Sequence, residues 1–168
     1  MSIKPFPYQK RGVRGIEKRG GRVLLADETG LGKTLQVLWT LERNPEEYLP
    51  ACVVCPAIVK YNWEHEINTH FKMTVGVLEG QKADRIGKGF VPFVNDVTVI
   101  NYDILRHWVP WLSQCGFKTI VIDECQYISG QSKRTKAVKL LCRPIPKVLA
   151  LSATPLLNRP IELFNTLN

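Results

Sequence analysis

Long hydrophobic runs are missing from this chain. The most apolar stretches, around Ala51–Cys55 and Lys147–Leu151, fall far short of the length that crosses a bilayer, so no segment reads as membrane-embedded. The start, Met1-Ser2-Ile3-Lys4-Pro5, lacks the apolar core of a secretion signal, and nothing argues for export. Histidine is scarce, with three residues, and none has metal-ligand company. His65 and His70 lie roughly 500° apart around a helix axis, and His107 is remote from both. Cysteine occurs five times, an odd count that fits a reducing interior better than a disulfide framework. Cys52 and Cys55 have the x₂ spacing of a metal or redox pair, but in a strand-like run residues three apart point to opposite faces. With no second pair at ligand spacing, they read as buried small apolar residues, and no structural metal is expected. Acidic residues are absent between Glu124 and Glu162.

That last gap gives the charge its shape. The formal net charge is +8, and Lys133, Arg134, Lys136, Lys139, Arg143 and Lys147 stand in the acid-free stretch. A second basic cluster, Lys4, Lys10, Arg11, Arg14, Lys18, Arg19 and Arg22, is opposed only by Glu17. Basic faces of this kind suit nucleic acid, although a solvated helix face gives the same composition. With 168 residues, 45% hydrophobic and 23% charged, the chain has the size and balance of one well-buried globular domain. It shows no internal repeat, low-complexity tract or interdomain linker.

Short apolar strands alternate with helical patterns. Arg22–Ala26, Ala51–Cys55, Thr74–Leu78, Val97–Ile100, Thr119–Ile122 and Lys147–Leu151 are the candidate strands. Thr34–Arg43, Val59–His70, Asp103–Leu112 and Ser132–Cys142 carry apolar residues at helical spacing, the last with Ser132 as N-cap, and Pro160 opens a final helix, Ile161–Leu167. Residues 80–92 read as an irregular or partly helical surface connection. Strand and helix in alternation predict an α/β three-layer sandwich with a mostly parallel sheet, whose ligands belong at the C-terminal ends of the strands.

Two motifs fall at such ends. After Val23–Ala26 comes Asp27-Glu28-Thr29-Gly30-Leu31-Gly32-Lys33-Thr34, in which small residues let backbone N–H groups curl around phosphates. Lys33 adds a point charge, and the Thr34 hydroxyl can hold Mg²⁺. After Ile120–Ile122 comes Asp123-Glu124-Cys125-Gln126. Asp123 is placed to hold the metal, and Glu124 to orient and deprotonate an attacking water. Together they predict nucleoside triphosphate hydrolysis. The first glycine of the usual pattern is replaced by Asp27, whose carboxylate must turn away toward loop N–H groups or face the metal.

Ala26 to Thr34 resembles the phosphate loop of the SWI/SNF-type ATP-dependent DNA translocases, a branch of helicase superfamily two, with Thr29 where methionine is usual. Further segments share the resemblance. Pro7-Tyr8-Gln9-Lys10-Arg11-Gly12-Val13 is similar to the family's adenine-reading segment, with Gln9 the matching amide, which favours ATP as cofactor. Val53–Trp63 looks like a motif in which N–H groups near Ile58–Lys60 and the Lys60 ammonium meet the DNA backbone, Trp63 itself reading as core. Asn101-Tyr102-Asp103 resembles another segment near the DNA path, though a strand-to-helix turn capped by Asp103 explains it equally. Leu151 to Pro160 is similar to the coupling motif over most of its length, in which Ser152 and Thr154 can hydrogen-bond the acidic pair, though a turn at Thr154-Pro155 is the competing account. Gln126 replaces the family's more usual histidine and removes a titratable group.

The resemblance implies one RecA-like ATP-binding lobe over residues 1–168, the first of two in such proteins, using ATP and Mg²⁺ on duplex DNA. The second lobe, normally in the same polypeptide, supplies arginines to the γ-phosphate, so this lobe alone is expected to be nearly inactive. Gln9 lies close to Met1, which points to a bacterial or phage-type cytoplasmic protein; a eukaryotic one would be nuclear. Two rivals stay open: a DNA-binding fragment with a vestigial loop, and another P-loop phosphotransferase.

Overall fold

Strand β2, Ala51–Cys55, has every residue buried, as a parallel strand covered on both faces must. The computed structural model describes residues 3–28, 30–80, 95–128 and 130–153. Around β2 it assembles β1 (Arg22–Leu25), β3 (Val75–Val77), β4 (Val97–Asn101), β5 (Thr119–Ile122) and β6 (Lys147–Leu151). The order is β1-β6-β5-β2-β4-β3, and every pairing is parallel. All six strands lie within the expected segments, trimmed or extended by a residue at some ends. Thr29, Thr154, most of the 80–92 connection and the final helix 161–167 lie outside the described residues.

The alternation of side chains sorts the core into two layers. Val23, Leu25, Val53, Cys55, Val99, Val121 and Leu149 face α1 (Pro7–Arg19), α2 (Lys33–Arg43) and α4 (Lys60–His70). Cys52, Val54, Ile100, Ile120, Ile122 and Val148 face α5 (Tyr102–Leu112) and α6 (Lys133–Cys142). Cys52 and Cys55 thus point into opposite layers. Each fully buried aliphatic side chain contributes about 1.5–3 kcal/mol relative to exposure, which is what holds helices on both faces. The architecture is the α/β three-layer sandwich. No helix among the described residues is long and apolar enough to cross a membrane.

Two helices are additions to the sequence reading. Helix α1 has Pro7 in its first turn, Gln9 Oε1 accepting from Phe6 N at 2.9 Å, and Gly20 closing it at φ 61°. A single turn, α3 (Pro45–Tyr48), follows α2. At α6 the expected N-cap forms, with Ser132 Oγ accepting from Thr135 N at 3.1 Å.

All five cysteines are free and buried. Burial pushes the Cys55, Cys125 and Cys142 thiols up to about 12 and Cys115 up to about 11, and Cys52 well above its ordinary value. The folded protein is therefore expected to react with a disulfide reagent at pH 8 at least about a hundredfold more slowly than a free thiol does. Denaturant should release all five at once. One thiol reacting at the free rate in the native protein would contradict this packing.

Candidate functional site

Helix α2 starts without a side chain over its end. Its N-cap is Gly32 at φ 69°, and no side-chain hydrogen bond caps the first turn, so the helix presents free N–H groups to the space before it. Glycine is needed there twice over: the φ is left-handed, and a Cβ would collide with the Gln9 amide. Gln9 is buried, and its Nε2 donates to Leu31 O at 3.3 Å. Gln36, one turn into α2, donates to the same carbonyl at 3.4 Å and to Asp27 Oδ2 at 3.0 Å. Two buried amides thus brace the loop from beneath. The Asp27 carboxylate turns to Gln36, neither to loop N–H groups nor toward the cavity where a metal was expected. Its partner is a side chain that the loop pattern does not include.

Lys33 Nζ bonds to the carbonyls of Asp27 at 2.7 Å and Glu28 at 3.1 Å, which holds the ammonium across the loop. Opposite, β5 ends in Asp123 and Glu124. Both strand end and helix start line one cavity of about 320 Å³, whose walls include Gly30, Gly32, Lys33, Thr34, Trp63, Asp123 and Glu124. Asp27 and Leu31 face a neighbouring groove against α1 instead.

Asp123 is 9% exposed. Its Oδ2 accepts from the Trp63 indole Nε1 at 2.8 Å and its Oδ1 from Glu124 N at 2.9 Å. Burial raises its pKa above the ordinary carboxylate value, as does the neighbouring Glu124 charge; the Trp63 bond, the Glu124 N–H and Lys33 act in the opposite direction. Trp63 was read as core, and it is buried, but its indole also fixes the rotamer of the acid. Nothing in its helical spacing could have revealed that.

Glu124 has φ 50° and ψ 55°, a left-handed conformation rare for a side-chain-bearing residue and a cost of about 1–2 kcal/mol. A 3₁₀ turn, Cys125–Tyr127, follows it. Gln126 Nε2 donates to Glu124 Oε2 at 2.5 Å, and Gln126 Oε1 accepts from Ser152 Oγ at 3.1 Å. The expected link from Ser152 to the acidic pair exists, but it runs through Gln126. A neutral amide suits that place because it donates at one end and accepts at the other.

The three residues expected at a DNA backbone are turned inward. Lys60 is 7% exposed, with Nζ donating to Leu78 O at 3.1 Å. Asn101 is buried, with Nδ2 at 3.5 Å from Asp103 Oδ2. Tyr102 is buried and its Oη donates to Asp123 O at 2.7 Å. Asp103, expected to cap α5, makes no cap bond; the N-cap is Asn101.

The glycine-containing loop before α2 and the acidic end of β5 thus share one cavity. The model of the SNF2-related domain matches residues 8–168. The chain belongs to that family. A SWI/SNF-related chromatin regulator subfamily A-like protein 1 homolog of Caenorhabditis elegans is 38% identical over 95% of this chain, which spans 23% of that relative. The human DNA annealing helicase and endonuclease ZRANB3 is 30% identical over 98% of the chain, which spans 16% of it. Among solved structures, the Sulfolobus solfataricus SWI2/SNF2 ATPase core in complex with dsDNA superposes with a TM-score of 0.82 at 30% identity. It covers 100% of this chain, and the chain covers 36% of it. The fold is thus that of part of an SNF2-related domain, and its sheet is that of a RecA-like lobe.

Proposed function

We propose that this chain binds Mg·ATP between the phosphate loop and the β5 end, as one of two RecA-like lobes that together hydrolyse ATP on duplex DNA. The observation that carries the reading is the shared cavity: Lys33 and Thr34 on one wall, Asp123 and Glu124 on the other. Lys33 neutralises charge on the β- and γ-phosphates, and the N–H groups at the start of α2 hold their oxygens. Gln9 stays the candidate for the adenine contact, for which its amide would have to leave Phe6 N and Leu31 O, and the loop from Asp27 to Gly32 is the proposed phosphate cradle, with Gly30 and Gly32 on the cavity side. Thr34 and Asp123 offer hard oxygen donors to Mg²⁺, which keeps part of its coordination for water and phosphate and suits a site with few protein ligands. Held by Thr34 and Asp123, the metal would supply positive charge against the phosphates. Glu124 takes the proton of the attacking water, and Gln126 and Ser152 connect that event to the end of β6. Thr154 extends the same proposal.

Lys60, Asn101 and Tyr102 stay candidates for DNA contact only through backbone groups or rearrangement. Lys60 would have to leave the Leu78 carbonyl to reach a phosphate. Translocation along duplex DNA is the motion we infer, in a cytoplasmic or nuclear setting, and no strand-separating pin enters the reading.

Titration of the 168-residue chain with a non-hydrolysable ATP analogue and Mg²⁺ tests the site, and a steady-state assay tests the two-lobe requirement. Binding should be measurable. Hydrolysis should stay about 10³-fold or more below that of a chain carrying the second lobe and its arginines. Robust DNA-stimulated turnover that persists on dilution would overturn the second part. Heat-silent titration with unchanged DNA binding would instead favour a vestigial loop.

A further inference from the structure

Arg134 lies in the first turn of α6 and belongs to no motif singled out above. Its guanidinium Nη2 donates to Asp103 Oδ1 at 2.7 Å, and its Cζ stands 5.6 Å from the Tyr102 ring centroid and 5.7 Å from that of Tyr127. The two rings are stacked, 6.0 Å apart with 3° between their planes. Tyr102 Oη holds the backbone carbonyl of Asp123, and Tyr127 ends the 3₁₀ turn whose Gln126 holds the Glu124 carboxylate. Tyr127 N also donates to Glu124 O at 2.9 Å. One cation therefore touches two rings, each a single hydrogen bond from an acid of the proposed site or from the turn that orients it.

The topology explains why they meet. Helix α5 follows the end of β4, and the 3₁₀ turn and α6 follow the end of β5, so all three begin at the sheet edge that carries the cavity. The cation is also reachable from solvent: the Arg134 side chain is 34% exposed and the Asp103 side chain 60%. A pair so exposed contributes little, whereas a phosphate diester offers a guanidinium two oxygens in a fork that matches its plane. Asp103, released, faces water and carries no burial penalty. Lys133 and Lys136 lie exposed beside Arg134, in a stretch without acids.

Resting on the ATPase reading above, we propose that Arg134 is the positioning residue through which a duplex DNA backbone acts on the acidic pair. In one state it is held by Asp103 and covers the tyrosines. In the other a phosphate takes the guanidinium, and Tyr102 and Tyr127 shift the carbonyl of Asp123 and the turn behind Glu124. The element with two arrangements is the guanidinium itself, which both DNA and the site bias.

The Trp63 indole reports on the far end, because its N–H is bonded to Asp123 Oδ2. In ¹⁵N-tryptophan-labelled protein the four indole N–H resonances are countable, and Trp63→Phe assigns one of them. A short duplex at low salt should move the Trp63 resonance in the wild-type chain. Arg134→Lys should bind the duplex within about threefold of wild type, since the charge remains, yet leave Trp63 unmoved, since an ammonium has neither fork nor plane. Arg134→Ala should abolish the movement as well. A non-hydrolysable ATP analogue with Mg²⁺, titrated into each variant, should bind as in wild type. A Trp63 resonance that stays still in saturating duplex, or moves as far in Arg134→Lys as in wild type, overturns the proposal while nucleotide binding keeps the ATPase reading intact. Failure of the wild-type chain to bind the analogue would sink that reading, and this one with it.

Discussion

Lys33→Ala is expected to weaken binding of Mg·ATP by about 10–100-fold, the range that follows from losing one charged hydrogen-bonding partner worth roughly 1.5–3 kcal/mol. The ammonium is not a structural element of the loop. Its two partners, the carbonyls of Asp27 and Glu28, can accept from water, and the loop is held from beneath by Gln9 and Gln36 without it. Thermal stability should therefore stay within the spread of ordinary surface substitutions, about 0.5 kcal/mol. Calorimetric titration paired with a melting curve separates the two effects. ATP affinity that survives the substitution would remove Lys33 from the phosphate site, and a large drop in melting temperature would make it a packing residue instead.

How much of this was legible depends on what each feature is made of. Strands β2 and β5 could be read because a buried parallel strand writes itself as an unbroken apolar run, and the helices between them because their apolar residues recur at helical spacing. Helix α1 was harder. Gly12 and Gly15 interrupt it, and its buried side, Gln9, Val13 and Ile16, contains a polar residue. Gly12 is there because a Cβ would run into the Gln36 side chain, a reason that exists only in three dimensions. Lys33, Thr34, Asp123 and Glu124 were legible as a pair of strand-end motifs, and the cavity brings them together. What escaped is contact between side chains distant in sequence. Trp63 and Asp123 are 60 residues apart, and Gln36 meets Asp27 only because the loop folds back on α2. Lys60, Asn101 and Tyr102 show the converse. For Asn101 and Tyr102, a strand end fixes where the backbone is, but the helix that starts at once turns the side chains inward; Lys60, at the start of α4, is turned inward to Leu78 O.

Glu124→Gln should leave ATP affinity close to wild type and lower hydrolysis by about 10²–10⁴-fold, the usual worth of a positioned general base. The surrounding bonds make this more than an isosteric swap. Glu124 Oε2 accepts from Gln126 Nε2, so a glutamine at 124 must present its own carbonyl oxygen to that donor or set two NH₂ groups against each other. The first arrangement is the stable one. It turns the new NH₂ toward the cavity, where it can donate to water but cannot take a proton from it. The chain from Ser152 through Gln126 is preserved, so coupling to β6 remains while the chemical step stops. The left-handed backbone at 124 is unaffected by the change of side-chain terminus, and folding should be too. Single-turnover hydrolysis by a chain carrying both lobes, with duplex DNA and with nucleotide affinity measured alongside, gives the decisive comparison. Hydrolysis at an undiminished rate would assign the base elsewhere. Glu66, also in the cavity wall, would then be the carboxylate to replace next.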